Sequence, residues 1–330
     1  MVKETLTEKA LKLLGKRSAE ARILAKHAFL EEKTGIRKVD EAIEQYISKW
    51  EDTTHPGLLA LASEAVGGNA EETVLLQAAL SYIDATMDIH DDIIDESLAK
   101  KNTKTIYGKL GKEATLLVGD AFMVKGFNRL CAALENRPKD LRSEIMNTVR
   151  NFLTEVVEAH ILESELKDKK WEINPEDYLK VLSHKAADIE GRMRIGALFG
   201  GGSFEELCAL SKFGRNLGIL LAVRSDFVDI FEPRELMHRV KYECLPLPVI
   251  YALQDVQRKK QIRTLLLKEA LRKEDCSDLV ELISEIEEIT KLKSLLSDLE
   301  KEAVYALRAL HKSLAKNQLR LLAASMLEEL

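Results

Sequence analysis

The chain has 330 residues, of which 49 are basic and 55 acidic, giving a net charge of −6. That mild acidity argues against a nucleic-acid partner, whose phosphates need a basic surface. With 46% hydrophobic residues and only 16 Gly and 6 Pro, there is material for a large core, and long helices are favoured over many short strands.

The N-terminal stretch MVKETLTEKALKLLGKR is charged throughout and has no apolar signal core. No apolar run approaches the roughly 18 residues of a membrane span, so the expectation is a cytoplasmic protein. Proline is missing from 57–137 and from 249–330, and glycine is missing after Gly218. Apolar residues recur at helical spacing in these stretches, as at Leu75, Ala79, Tyr82 and Ile83, and again at Ile262, Leu265, Leu266 and Ala270. Asn174, Pro175 and Asp177 form a helix start with a cap, a preset first position and an acidic first turn. Ser203 and Glu206 have the spacing of a capping box. Segments 52–57, 100–104, 167–174 and 232–248 read as loops, each short enough to lie inside one domain. Cys131, Cys208, Cys244 and Cys276 have neither zinc-ligand nor redox spacing and are expected to be four buried thiols. The pattern predicts an all-α protein, a single domain over 1–330.

The strongest chemical signal is LQAALSYIDATMDIHDDIIDES at 76–97. At 3.6 residues per turn, Asp84, Asp88, Asp91, Asp92 and Asp95 fall within an arc of about 100°. Carboxylates three and four residues apart repel, and no Lys or Arg relieves them between Asp84 and Asp95. An acidic surface stripe is the bland alternative. A cluster that destabilises its own helix points instead to a cation, and oxygen ligands without nearby Cys point to Mg²⁺. Mg²⁺ shares its shell with substrate phosphates, so a diphosphate or triphosphate ligand is implied. The rival devices fail. There is no GxxxxGK[ST] loop, and the one ExxH pair, Glu235 and His238, lies in the expected loop at 232–248. Leu76, Leu80, Ile83 and Met87 form an apolar stripe beside the acidic face, either plain core or a slot for a hydrocarbon tail.

In order along the chain, these residues resemble the trans-prenyltransferases, the polyprenyl diphosphate synthases. DDIID at 91–95 matches the first aspartate-rich motif. Gly119-Asp120 in LLVGDAFM, Lys185 in SHKAADIEG, SDFVD at 225–229 and LPLPVIYAL at 245–253 match later landmarks. The resemblance implies an isoprenoid-synthase-type helical bundle around a central cavity, usually a homodimer, with 141–160 a candidate interface. It implies Mg²⁺ held by Asp91, Asp92, Asp95, Asp226 and Asp229, with Lys100, Lys101 and Lys185 around the diphosphate. The implied reaction ionises an allylic prenyl diphosphate, which the double bond of isopentenyl diphosphate then attacks. Bulky aromatics at the positions of Thr86 and Met87 stop the family's products at about fifteen carbons. Their absence here implies longer products, with the next barrier at Ile83 or Leu80.

The departures cluster on the isopentenyl side. Ser225 replaces the first aspartate of the second motif, and Ala222 replaces a glutamine. Lys100-Lys101-Asn102 stands for Arg-Arg-Gly, keeping charge but losing the bidentate fork. EDTTHP at 51–56 puts His55 where the family has arginine, and Asp84 replaces a His or Gln. The alternative to an active synthase is a weak or inactive subunit that binds a prenyl diphosphate and partners a homologous synthase.

Overall fold

The computed structural model describes residues 4–31, 33–100, 103–284 and 286–328. The helical periodicity becomes α1 (Leu6–Glu31), α2 (Arg37–Lys49), α3 (Thr54–Ala65) and α4 (Val74–Ile94). Then come the two-residue strands β1 (Ala99–Lys100) and β2 (Thr103–Lys104), paired antiparallel with Ala99 opposite Lys104. The chain continues through α5 (Ile106–Leu110), α6 (Lys112–Leu134), α7 (Lys139–Lys167), α8 (Pro175–Lys185) and α9 (Ala187–Phe199). It ends with α10 (Phe204–Phe231), α11 (Pro233–Tyr242), α12 (Leu247–Ala252), α13 (Val256–Leu266), α14 (Lys273–Ser284), α15 (Glu287–Ala306) and α16 (Leu314–Ser325). The all-α expectation is met, and no described helix is long and apolar enough to cross a membrane.

Asn174 caps α8 as the sequence indicates, its side chain accepting from Glu176 N at 3.2 Å. Two expected loops are instead helical. α3 already starts at Thr54, so Pro56 and Gly57 lie in its first turn. α11 occupies most of 232–248 because Pro233 sits at the first helical position, where its missing N–H has no intrahelical partner to lose. Leu236 and Arg239, three residues apart, give α11 a buried face.

The contacts gather into two compact units. The α4 unit comprises Glu8–Met146 and Ile195–Ser203. Its core holds an aromatic cluster in which Phe29 stacks on Tyr82 with centroids 3.8 Å apart and lies 4.9 Å from Phe122. Such pairs contribute about 0.5–1.5 kcal/mol beyond their buried area. α6 lies close along α4, and Gly126 permits it: a Cβ there would sit 3.0 Å from Tyr82 Cβ.

The α10 unit comprises Met1–Thr7, Asn147–Arg194 and Phe204–Leu330. α10 forms its centre, burying Phe213, Leu217, Leu220 and Val223 and touching α8, α11, α12, α14 and α15. Arg215 ties three segments together. It donates to Glu190 Oε2 at 2.5 Å, to Glu155 Oε1 at 2.5 Å and to the Ser183 carbonyl at 2.6 Å.

The expectation of four buried thiols is half wrong: Cys131 and Cys208 are exposed, while Cys244 and Cys276 are buried. Both exposed residues sit on long helices whose outer faces the periodicity alone does not identify. Burial pushes the Cys244 thiol up to about 12. A raised thiol pKa keeps the neutral form in the folded state, so reactivity appears only as pH rises toward that value. Iodoacetamide at pH 8 should therefore label Cys131 and Cys208 in the native protein and reach Cys244 only after unfolding, as counted by intact mass. Rapid native labelling of Cys244 would contradict the buried setting.

Candidate active site

α4 ends at Ile94, so Asp91 and Asp92 lie in its last turn and Asp95 is the C-cap. Carboxylates at a helix C-terminus face the negative end of the macrodipole and also repel one another. The chain then reverses through Glu96, whose φ of 52° is left-handed. Ser97 N donates to the Asp92 carbonyl at 2.8 Å and Glu96 N to the Ile93 carbonyl at 3.4 Å, the bond pair of a Schellman cap. Glycine is the usual residue at that position, and a side chain there costs about 1 kcal/mol. Glu96→Gly should therefore raise stability by roughly 0.5–1 kcal/mol in urea unfolding. A loss of stability would mean that the Glu96 side chain makes a compensating contact.

The reversal brings a lysine back to this cluster. From β1, Lys100 places Nζ 2.8 Å from Asp92 Oδ1 and 3.1 Å from Asp88 Oδ1. On the other side, Tyr46 OH donates to Asp88 Oδ2 at 2.9 Å. Asp92 is buried, and burial pushes its carboxyl up to about 6 against the opposing pull of Lys100. Burial works against the Lys100 charge, but Asp88, Asp92 and Asp91 together hold its ammonium well above the usual lysine range. Asp91 and Asp95, four residues apart, both keep part of their surface exposed. This oxygen-only set has the chemistry of a hard divalent cation site, and Asp91 and Asp95 are its members with accessible surface that could hold one. Lys101 lies outside the described residues.

Gly119 and Asp120 are on α6 beside this helix end. A Cβ on Gly119 would overlap the His90 ring as it is placed, so a larger residue there would have to displace that imidazole. His90 Nε2 lies 3.5 Å from Asp120 Oδ1. The apolar stripe divides. Leu80, Ile83 and Thr86 are fully buried, and Thr86 Oγ1 donates to the Tyr82 carbonyl at 2.9 Å and the Gly119 carbonyl at 3.2 Å. Met87 keeps partial exposure.

His55 and Asp84, far apart in sequence, come together with Asp52, one possible ligand atom of each lying within 4.8 Å of the others. Asp52 Oδ1 accepts from Thr54 N at 2.9 Å and His55 N at 3.2 Å, while Oδ2 lies 2.9 Å from His55 Nδ1. Burial alone would raise the Asp52 carboxyl. The His55 imidazole and these two N–H groups outweigh it and hold the group below the usual range. Sequence reasoning missed Asp52, although its i, i+3 spacing to His55 is a signal that could have found it.

In the α10 unit the second motif carries its own cation. Arg239 Nη1 lies 2.6 Å from Asp226 Oδ1 and 2.8 Å from Asp229 Oδ2, and Nη2 donates to Tyr178 OH at 2.8 Å. Asp226 is 3% exposed, and its Oδ2 accepts from Leu247 N at 2.8 Å. Both of its oxygens are thus engaged within the protein, which fits a metal ligand poorly. Asp229 remains partly exposed. Nearby, Lys185 Nζ lies 2.5 Å from Glu163 Oε2. Burial opposes the Glu163 charge, but Lys185 and then Arg239 hold its carboxyl below the usual range. Sequence reasoning missed Arg239 and Glu163, which belong to no motif and meet the aspartates and Lys185 only through folding.

A profile of the polyprenyl synthetase family matches residues 37–283. A short chain isoprenyl diphosphate synthase of Methanothermobacter thermautotrophicus is 26% identical over 228 residues, covering 67% of this chain and 69% of that protein. A geranylgeranyl diphosphate synthase of Methanosarcina mazei is 30% identical over 187 residues, covering 56% of this chain and 57% of that one. Among solved structures, geranylgeranyl pyrophosphate synthetase from Pyrococcus horikoshii Ot3 shares the fold at a TM-score of 0.82 and 24% identity, covering 98% of this chain and 100% of that one. A polyprenyl synthase from Caulobacter crescentus CB15, complexed with calcium and isoprenyl diphosphate, shares it at 0.78 and 17% identity, covering 100% and 99%. With the aspartate-rich helix end, the fold and the profile in agreement, this chain belongs to the polyprenyl synthetase family and is a prenyltransferase of the isoprenoid-synthase fold.

Proposed function

We propose that the chain uses Mg²⁺ to condense an allylic prenyl diphosphate with isopentenyl diphosphate, as a cytoplasmic homodimer. The observation that carries this reading is the acidic end of α4, where Asp91 and Asp95 keep exposed surface beside a fixed ammonium on Lys100. Bound there with waters and substrate phosphate, Mg²⁺ would offset charge gathering on the departing diphosphate. The chain's own contribution is positioning. Lys100, already shared between Asp88 and Asp92, can exchange one carboxylate for a phosphate oxygen at small geometric cost. Tyr46 keeps Asp88 oriented through that exchange. In the α10 unit, Arg239 supplies at Asp226 and Asp229 a positive charge that a metal would otherwise provide, and Lys185 adds a second cation. Because the family profile runs through both units, we propose that 1–330 works as one domain. For the homodimer, exposed Val157 within the 141–160 segment supports α7 as an interface.

The reading extends to product length. Of the four stripe residues, Met87 alone among those described keeps accessible surface, so it is the one we place against the growing chain. Products longer than fifteen carbons are expected. Met87→Phe should shorten them by at least one five-carbon unit, resolved by chromatography of the dephosphorylated alcohols. An unchanged distribution would mean that the tail runs elsewhere. Thr86→Phe is a poorer probe, because its hydroxyl is fixed against the Gly119 backbone and a ring there would overpack α4 on α6.

A further inference from the structure

We propose that Asp52, His55 and Asp84 form a second cation site, separate from the aspartates at the end of α4, for a divalent transition-metal ion of the zinc type. The donor set is one imidazole and two carboxylates, and imidazole selects zinc-like ions over Mg²⁺. Metal bonds of about 2.1 Å at ordinary angles put neighbouring ligand atoms roughly 3.0–3.4 Å apart. Asp52 Oδ2 and His55 Nδ1 are 2.9 Å apart, close to that scale, and the Asp84 ligand atom completes a set within 4.8 Å.

The site is built rather than incidental. Thr54 N and His55 N hold Asp52 Oδ1 at the start of α3, which turns Oδ2 toward the imidazole. The Asp52 and His55 side chains are 17% and 27% exposed, sheltered yet reachable by an ion. Asp84 comes from α4, one turn before Asp88, so the ion would also relieve repulsion along the acidic face. Three protein ligands leave at least one position for water or an anion. If the synthase reading holds, that open position gives isopentenyl diphosphate a cation where His55 and Asp84 stand in place of the family's usual residues.

The test titrates Zn²⁺ calorimetrically into full-length Cys131→Ser/Cys208→Ser protein with excess Mg²⁺ and no substrate present, so its outcome does not depend on the synthase reading. The expected result is one Zn²⁺ per chain, with affinity falling at least tenfold in His55→Ala and in Asp84→Asn, while Asp95→Ala binds Zn²⁺ as before. Circular dichroism of each variant checks that the helices persist. No stoichiometric Zn²⁺ binding by the parent protein would overturn the site. So would binding that survives both His55→Ala and Asp84→Asn, or that is lost equally in Asp95→Ala. Failure of prenyl condensation alongside intact Zn²⁺ binding would sink the synthase reading and leave the site standing.

Discussion

Replacing Arg239 with methionine is expected to cost about 3–5 kcal/mol of stability, the usual penalty for stranding one member of a buried ion pair. Asp226 is 3% exposed and has the Arg239 guanidinium 2.6 Å from Oδ1. Removing that cation leaves Asp226 with the Leu247 N–H on its other carboxylate oxygen. Asp229 and Tyr178 OH lose the same partner. A domain's whole stability is typically about 5–15 kcal/mol, so the variant should unfold at a much lower urea concentration. The double variant Arg239→Met/Asp226→Leu should recover most of the loss, because apolar replacement of both partners is often neutral or stabilising. A loss below about 1 kcal/mol in the single variant would show that water reaches Asp226 and that the pair is not structural.

Asp91→Ala and Asp95→Ala should act in the opposite way, sparing the fold and removing activity. Each takes a carboxylate from the negative end of α4, so stability should hold or rise by a few tenths of a kcal/mol. In the proposed mechanism each would also remove an oxygen ligand from the cation that offsets leaving-group charge. Losing about 4 kcal/mol of transition-state stabilisation corresponds to roughly a thousandfold in turnover. Asp92→Ala is a less clean test, since Asp92 is buried and ion-paired with Lys100. Steady-state kinetics with saturating Mg²⁺, paired with thermal unfolding, separates the two effects. Unfolded variants, or variants with unchanged turnover, would favour a surface stripe over a metal site.

Much of this was legible because helices write their faces into sequence. The spacing of Asp84, Asp88, Asp91 and Asp92 puts them on one face, and the lack of Lys or Arg among them points to Mg²⁺. The pairing of Lys100 with Asp88 and Asp92 was not legible, because Lys100 reaches back only through the left-handed turn at Glu96, an unusual residue for that role. The carboxylates of the second motif could be read as metal ligands because sequence cannot show that α11 folds Arg239 onto them. α11 itself was hidden by reading prolines as loop markers, although Pro233 begins a helix. Likewise, alternation alone could not tell Met87, partly exposed, from Thr86, locked against α6.

The most direct measurement is incorporation of labelled isopentenyl diphosphate by the purified chain, supplied in turn with dimethylallyl, geranyl, farnesyl and geranylgeranyl diphosphate, with Mg²⁺ and with EDTA. A second series adds a homologous synthase. The expected result is Mg²⁺-dependent formation of prenyl diphosphates longer than fifteen carbons by the chain alone, abolished by EDTA and by Asp91→Ala. Absence of product with every primer, with and without the homologous subunit, would contradict it.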